Sequence, residues 1–143
     1  SEAHVSTEGA FANLPAALRG RRPAGIEHSP WEILEHIRIT QHDILEFCRN
    51  PKYTELDWPK DYWPPHPAPP TAGAWDASLE RYREDLAELR AMATDESNDL
   101  FARIPHGETQ TYLRELLLVV DHTSYHVGQL VLIRQLLGAW PPK

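Results

Sequence analysis

Apolar side chains recur along the chain at steps of three and four residues, and no stretch sustains the alternation of apolar and polar residues that is typical of a β-strand. The most regular stretch runs from Ala74 to Ala93, where glutamates and arginines occupy much of the surface outside one apolar seam. The seam consists of Trp75, Leu79, Tyr82, Leu86, Leu89 and Ala93. Such a pattern is typical of a helix that packs one face against a partner. The sequence therefore predicts an all-α fold.

Three further helical segments are predicted. The first covers about residues 7–18 and the last about residues 109–137. The second begins in the stretch SPWE at residues 29–32, because serine caps a helix N-terminus, proline suits the first helical position and the glutamate can complete a capping box. It stops at Asn50-Pro51. Together with residues 74–93, these segments predict a bundle of four helices.

Residues 50–73 separate the second and third helices and are rich in proline and aromatic residues. This segment is too long for a tight turn between antiparallel helices and too aromatic for a disordered linker. We predict an ordered crossover that lies over the bundle and lets neighbouring helices run parallel. The chain shows no internal repeat and no boundary for a second domain, so residues 1–143 are predicted to form a single domain.

Composition and charge exclude several classes of protein function. The formal net charge of −7 argues against a protein that neutralises nucleic-acid phosphates, since the one basic cluster is residues 19–22. The single cysteine, Cys48, excludes an intramolecular disulfide, and its apolar helical position predicts a buried packing residue. No run reaches the ~18 apolar residues of a membrane span, and the start of the chain contains no signal-peptide core. We therefore expect a cytoplasmic protein without nucleic-acid or membrane partners.

Two histidines lie one turn apart in an otherwise apolar part of the last helix, within the stretch DHTSYHVGQ at residues 121–129. The imidazoles of His122 and His126 share one helix face and can reach a common point, which is a frequent way for a helix to offer two metal ligands. Both sides of this helix are apolar, so the histidines are expected to face protein, where an imidazole needs a partner. The second apolar side predicts contact with another subunit.

A third ligand is best supplied by His36, which lies near the shoulder of the apolar stripe of the second helix, whereas His42 lies on its more polar side. The histidines in loops or near the chain start are interpreted as solvated bystanders: His4, His28, His66 and His106. The residues alone leave two alternatives open, a metal site of three histidines or three ordinary core histidines that hydrogen-bond to carbonyls or carboxylates. HTSYH lacks the glutamate of the HExxH motif, so zincin-type catalysis is not indicated.

The stretches SPWEILEH (residues 29–36) and DHTSYHVGQ (residues 121–129) together resemble the DinB-like superfamily of bacterial helical proteins. LPAALRG at residues 14–20 and the crossover at residues 58–65 also resemble one branch of it, so the resemblance covers nearly the whole chain. It implies a four-helix bundle with an up-up-down-down arrangement, dimers, and a divalent metal such as nickel or zinc. The implied metal ligands are His36, His122 and His126. Some related proteins transfer low-molecular-weight thiols.

Three neutral imidazoles leave a metal ion its positive charge and an open coordination position, where water or a thiol ionises more readily. We therefore expect a metal-dependent enzyme, a thiol transferase or a hydrolase, that acts on a small molecule, with a low-molecular-weight thiol as a candidate cosubstrate. The alternatives are a non-catalytic metal- or small-ligand-binding bundle and a purely structural dimer. Candidates for contacts to the ligands or substrate are Asp121, Tyr125 and Gln129, with His42 and Asp43 as weaker ones. Tyr62 and Trp63 can form an aromatic wall over the site.

Overall fold

The computed structural model describes residues 3–142, and within them the chain folds into four α-helices. They are α1 (Thr7–Phe11), α2 (Pro30–Arg49), α3 (Ala74–Thr94) and α4 (Tyr112–Leu136), with short 3₁₀ turns at Ala16–Leu18 and Lys60–Tyr62. The described residues contain no strand, and a single antiparallel bridge joins Arg103 to Thr111. The prediction of an all-α four-helix bundle is confirmed.

The start of α2 is fixed by its sequence. The Ser29 side chain accepts the backbone N–H of Glu32 at 3.2 Å, and the backbone N–H of Ser29 donates to the Glu32 carboxylate at 2.8 Å, which completes the predicted capping box. The Ser29 hydroxyl also donates to the backbone carbonyl of Pro67 at 2.5 Å. The cap therefore also joins the start of α2 to the crossover.

The predicted first helix is wrong in its second half. α1 ends at Phe11, because Asn13 takes a left-handed conformation with φ 53° and Pro15 disfavours helical geometry at the residue before it. Leu14 and Leu18 nevertheless pack against the core, as their apolar spacing indicated. The spacing identified the buried positions but overstated the length of the helix.

Side-chain pairs show that α2 and α3 run parallel. Near the start of both helices the Ser78 hydroxyl donates to Glu35, and near their ends Arg49 pairs with Glu88. Residue numbers therefore increase in the same direction along the two helices. The long crossover makes this possible, because the chain must return to the same end of the bundle before α3 begins.

Core packing shows that α4 runs antiparallel to α2. Ile33 near the start of α2 lies in one core cluster with Ile133 near the end of α4, whereas Ile44 lies in a second cluster with Val119. Cys48 belongs to this second cluster and is buried, as predicted, and burial raises the pKa of its thiol to about 12. The thiol is therefore a packing group at neutral pH.

The up-up-down-down order that the resemblance implied is wrong, because it requires α2 and α3 to run antiparallel and they run parallel. Arg83 pairs with Glu8, and Trp75, earlier in α3, meets the ring of Phe11 edge-on at 5.7 Å. α1 therefore runs antiparallel to α3 and parallel to α4, which gives the order up-down-down-up. The difference arises because the long crossover between α2 and α3 returns the chain to the same end of the bundle, whereas an up-up-down-down order reverses the chain at that connection.

A buried arginine joins the end of α4 to the first helix. Arg134 is 1% exposed, and its guanidinium donates to the backbone carbonyls of Ala10 at 2.5 Å, Ala12 at 2.8 Å and Ala139 at 3.0 Å. The Trp140 ring lies 5.5 Å from the guanidinium carbon. Carbonyl oxygens thus satisfy this buried cation, in the way that burial of a charged group requires.

α4 contributes to the core on one side and forms an apolar surface on the other. Its inner side supplies Val127, Leu130 and Ile133 to the core. By length and composition alone it is the one described helix that could cross a membrane, which is weak evidence for a helix that carries core residues. Its outer side exposes large apolar side chains, namely Leu117, Val120, Tyr125, Leu132 and Leu136. This outer side has no cover from the described part of the chain.

Candidate metal centre

Three histidines from two helices converge on the side of the bundle that the crossover covers. His36 comes from α2, and His122 and His126 lie one turn apart in α4. Their ligand nitrogens all lie within 4.8 Å of one another, and the Nε2 atoms of His36 and His122 are 3.0 Å apart. The structure thus brings together the three residues that the sequence singled out, and their binding of a metal remains a prediction.

Hydrogen bonds orient two of the three imidazoles. The Nδ1–H of His36 donates to the backbone carbonyl of Tyr62 at 2.9 Å, and the Nδ1–H of His126 donates to the side-chain oxygen of Gln129 at 2.7 Å. Gln129 is held in turn by Tyr125, whose hydroxyl accepts from the amide nitrogen at 3.2 Å. A proton on Nδ1 leaves the Nε2 lone pair free, which is the tautomer that a metal ligand needs.

Burial keeps the cluster uncharged. It lowers the pKa of His36 to about 4 and the pKa of His122 to about 3, and it also lowers the pKa of His126. Neighbouring histidines lower the pKa of His36 and His122 further, because imidazolium charges at this distance repel each other. At neutral pH the three rings are therefore in the neutral form that binds a metal ion.

Aromatic rings cover the cluster. Trp63 of the crossover stacks on His36 with ring centroids 3.9 Å apart and planes 3° apart. Tyr125 packs edge-on against His126 at 4.9 Å. Trp63 therefore takes the place expected of the aromatic wall, whereas Tyr62 contributes its backbone carbonyl to the site.

His28 is not the solvated bystander that its loop position suggested. Its ring stacks on Trp63 with centroids 3.9 Å apart, and its Nδ1 atom is buried without a hydrogen-bond partner in the described part of the chain. Helical periodicity carries no information about a residue outside a helix, so the sequence pattern missed it. Its position directly before the cap residue Ser29 was the available signal, because that cap fixes the loop beside the start of α2.

Two other candidates and the remaining histidines are exposed. Asp121 is exposed on the outer side of α4, and His42 is exposed and pairs with Asp85 at 3.0 Å. Among the described residues, no acidic side chain hydrogen-bonds to the clustered histidines, whose polar partners are a backbone carbonyl, an amide oxygen and one another. The remaining histidines lie on the surface, namely His4, His66 and His106.

The donor set fits a divalent cation. Imidazole nitrogen binds zinc at about 2.0–2.1 Å, which sets ligand nitrogens on the order of 3–4 Å apart. The separations of the three histidines approach this spacing. Imidazole also suits nickel, copper and iron, so the ligand types do not select one metal. His122 is half-buried, whereas His36 and His126 are buried.

Comparison with known proteins tests the resemblance seen in the sequence. A family model described as the DinB superfamily matches residues 1–130, a span that contains all three histidines and the whole crossover. No curated protein and no solved structure matched the chain.

Proposed function

Because the chain belongs to the DinB superfamily, we propose that its three clustered histidines bind one divalent metal ion, nickel or zinc, and that the protein is a metal-dependent enzyme. The observation that carries the proposal is the convergence of three neutral imidazoles, two of them held with Nε2 free. When bound, a divalent ion on three neutral ligands acidifies a water or thiol at an open position. The chain itself orients two of the ligands through Tyr62 and Gln129, covers His36 with Trp63 and leaves His122 half-buried.

Of the two reaction classes, thiol transfer is the first that we propose and hydrolysis the second. A free thiol has a pKa of about 8.5, compared with 15.7 for bulk water, so it needs less help to ionise near pH 7. Within residues 3–142, no carboxylate that could act as a general base for water hydrogen-bonds to the cluster. A low-molecular-weight thiol is then the cosubstrate and a small electrophile the acceptor.

The same lack of a base favours a second candidate function, a bundle that binds a metal or a small ligand without turnover. In both cases we propose small-molecule partners, because the net charge of −7 opposes a nucleic-acid partner. The buried, unpaired thiol of Cys48 suits a reducing compartment, which supports our proposal of a cytoplasmic location.

We expect His122→Ala to abolish turnover while leaving the helical fold intact. The variant removes one of three ligands, so thiol consumption with an electrophilic acceptor should fall at least about 100-fold. The assay compares metal-loaded protein with protein treated with a chelator, across a panel of thiols and acceptors. His42→Ala is the matched control, because it removes a histidine of the same bundle that pairs with Asp85 outside the cluster. Tight binding of a ligand without turnover in the wild type would favour the binding module instead.

We also propose that the outer side of α4 packs against a second copy of the chain. Large exposed apolar side chains line this side over several turns, from Leu117 to Leu136, in a helix whose inner side is already buried. Exposed apolar side chains that recur along one side of a helix mark a contact with another molecule. A symmetric dimer covers it by using the same face twice.

Leu132→Glu should convert this dimer into a monomer at micromolar concentration. A carboxylate in the middle of an apolar interface loses its hydration, so the dissociation constant should rise by about 100-fold or more. Sedimentation velocity gives the mass of each species. Ala87→Glu introduces the same charge on an exposed position of α3 and should leave the dimer unchanged. A monomeric wild type would contradict the proposal.

A further inference from the structure

A carboxylate in the middle of α2 holds two tyrosines of the crossover. Asp43 accepts the hydroxyl of Tyr53 at 2.9 Å through Oδ1 and the hydroxyl of Tyr62 at 2.7 Å through Oδ2. Burial, with the neighbouring carboxylate, raises the pKa of both phenols well above the ordinary range, so both remain hydrogen-bond donors. This Asp43 clamp lies two helical turns beyond the first histidine of the cluster.

Tyr62 connects the Asp43 clamp to the cluster. Its hydroxyl donates to Asp43, and its backbone carbonyl accepts the Nδ1–H of His36. Positions 36 and 43 are separated by roughly 10 Å along the axis of α2, so Tyr62 spans that distance and is bound at both ends. The next residue, Trp63, stacks on His36. One anchored segment therefore supplies both the acceptor and the cover of this histidine.

We propose that Asp43 is a positioning residue of the three-histidine centre and that it acts on His36 through Tyr62. The inference rests on the proposed function in so far as the centre binds a metal ion. The 60–62 turn exposes Lys60 and Asp61 to solvent, so burial of its side chains does little to hold it in place. The hydrogen bond from the Tyr62 hydroxyl to Asp43 fixes the position of the turn along α2. The Tyr62 carbonyl therefore stays in place to accept the Nδ1–H of His36. This hydrogen bond keeps the imidazole oriented with its Nε2 lone pair towards the other histidines.

The two tyrosines provide a matched pair of variants. Tyr62→Phe and Tyr53→Phe each remove one phenol hydroxyl from the same carboxylate, but only Tyr62 carries the carbonyl that binds His36. Loss of a group that orients a metal ligand costs about 10- to 100-fold in metal affinity. Asp43 does not contact His36 itself but acts through Tyr62, so the effect should be smaller. We therefore expect Tyr62→Phe to weaken Zn²⁺ binding by about 3- to 10-fold. Tyr53→Phe should change it by less than about twofold.

Zn²⁺ affinity is measured by competition with a chromophoric chelator. A second readout uses metal-free protein, in which NMR follows solvent exchange of the Nδ1 proton of His36. Tyr62→Phe and Asp43→Ala should both speed this exchange several-fold, whereas Tyr53→Phe should leave it close to the wild-type rate. Thermal unfolding of all variants reports any general loss of stability, which a purely structural role of Asp43 would produce equally for both tyrosines.

The two readouts separate failure of this inference from failure of the metal site. If the wild type binds neither Zn²⁺ nor Ni²⁺, the proposed function fails, and the exchange rates still decide whether Asp43 positions His36. If Zn²⁺ binds and Tyr62→Phe matches Tyr53→Phe in both affinity and exchange, the positioning role is overturned while the metal site stands. The inference is supported if Tyr62→Phe and Asp43→Ala exchange the His36 proton faster and bind Zn²⁺ more weakly, while Tyr53→Phe stays close to the wild type in both.

Discussion

Replacing all three clustered histidines by alanine is expected to abolish the binding of a divalent metal ion. Wild-type protein, purified without a tag and without a metal-chelate column, should carry about one ion per chain by plasma mass spectrometry, and the His36→Ala/His122→Ala/His126→Ala variant should carry none. The expected loss is complete because no acidic side chain of the described chain hydrogen-bonds to these histidines to serve as a substitute ligand. The measurement also identifies the metal.

A control variant replaces three histidines that lie on the surface, His4, His42 and His66. It should retain the wild-type metal content, which separates the cluster from general binding of metal ions by histidine. Circular dichroism should show the same helical content for both variants, so that loss of metal is not loss of fold. Absence of metal from the wild type, with none taken up on soaking, would contradict the proposed function and leave three core histidines that hydrogen-bond to one another and to nearby acceptors.

Arg134→Met is expected to destabilise the bundle by about 3 kcal/mol. Methionine keeps much of the aliphatic volume but removes the donors that bind the carbonyls of Ala10, Ala12 and Ala139. Each buried acceptor left without a donor costs about 1–3 kcal/mol, with the lower end applying where water can enter. For a chain of this size the change corresponds to a decrease of roughly 10 °C in the melting temperature. Chemical unfolding followed by circular dichroism gives the free energy.

Arg90→Met is the matched control, because Arg90 is exposed on α3 and its replacement leaves no buried acceptor. It should change the free energy of unfolding by less than about 0.5 kcal/mol. Arg134→Lys should give an intermediate loss, since one ammonium cannot reach all three carbonyls in the geometry of a guanidinium. If Arg134→Met has the same free energy of unfolding as the wild type, water or a rearrangement of the chain must satisfy these carbonyls in the variant.

The helices that the sequence predicts well are those with both a periodic core face and an end signal. α2 has a capping box, a proline at its start and a stop at Asn50, and its observed bounds follow those signals. The same stripe places His36 towards the core and His42 towards solvent, and the structure has them so. Periodicity fixes which face of a helix is buried, and the choice of His36 over His42 depended on that face.

The features that the sequence did not predict depend on the path of loops. The length of α1 was overstated because Leu14 and Leu18 are buried without being helical, and its direction depends on the turns that follow Asn13. The packing of His28 against Trp63 and the carbonyl contact of Tyr62 join segments outside the four main helices to the cluster. Every residue has a backbone carbonyl whatever its side chain, so no sequence pattern can identify the carbonyl that accepts a hydrogen bond from a histidine.

The separation of the clustered histidines along the chain has a consequence for how the protein assembles. His122 and His126 share one helix and come together as soon as α4 forms, but His36 lies 86 residues from His122. Closing a loop of that length has an entropic cost that local contacts do not share, and contacts of high sequence separation slow folding. The complete ligand set therefore exists only after α2 has docked on α4. A metal ion can bind to all three histidines only after the bundle has folded. An ion that binds the native state and not the unfolded chain then stabilises the native state.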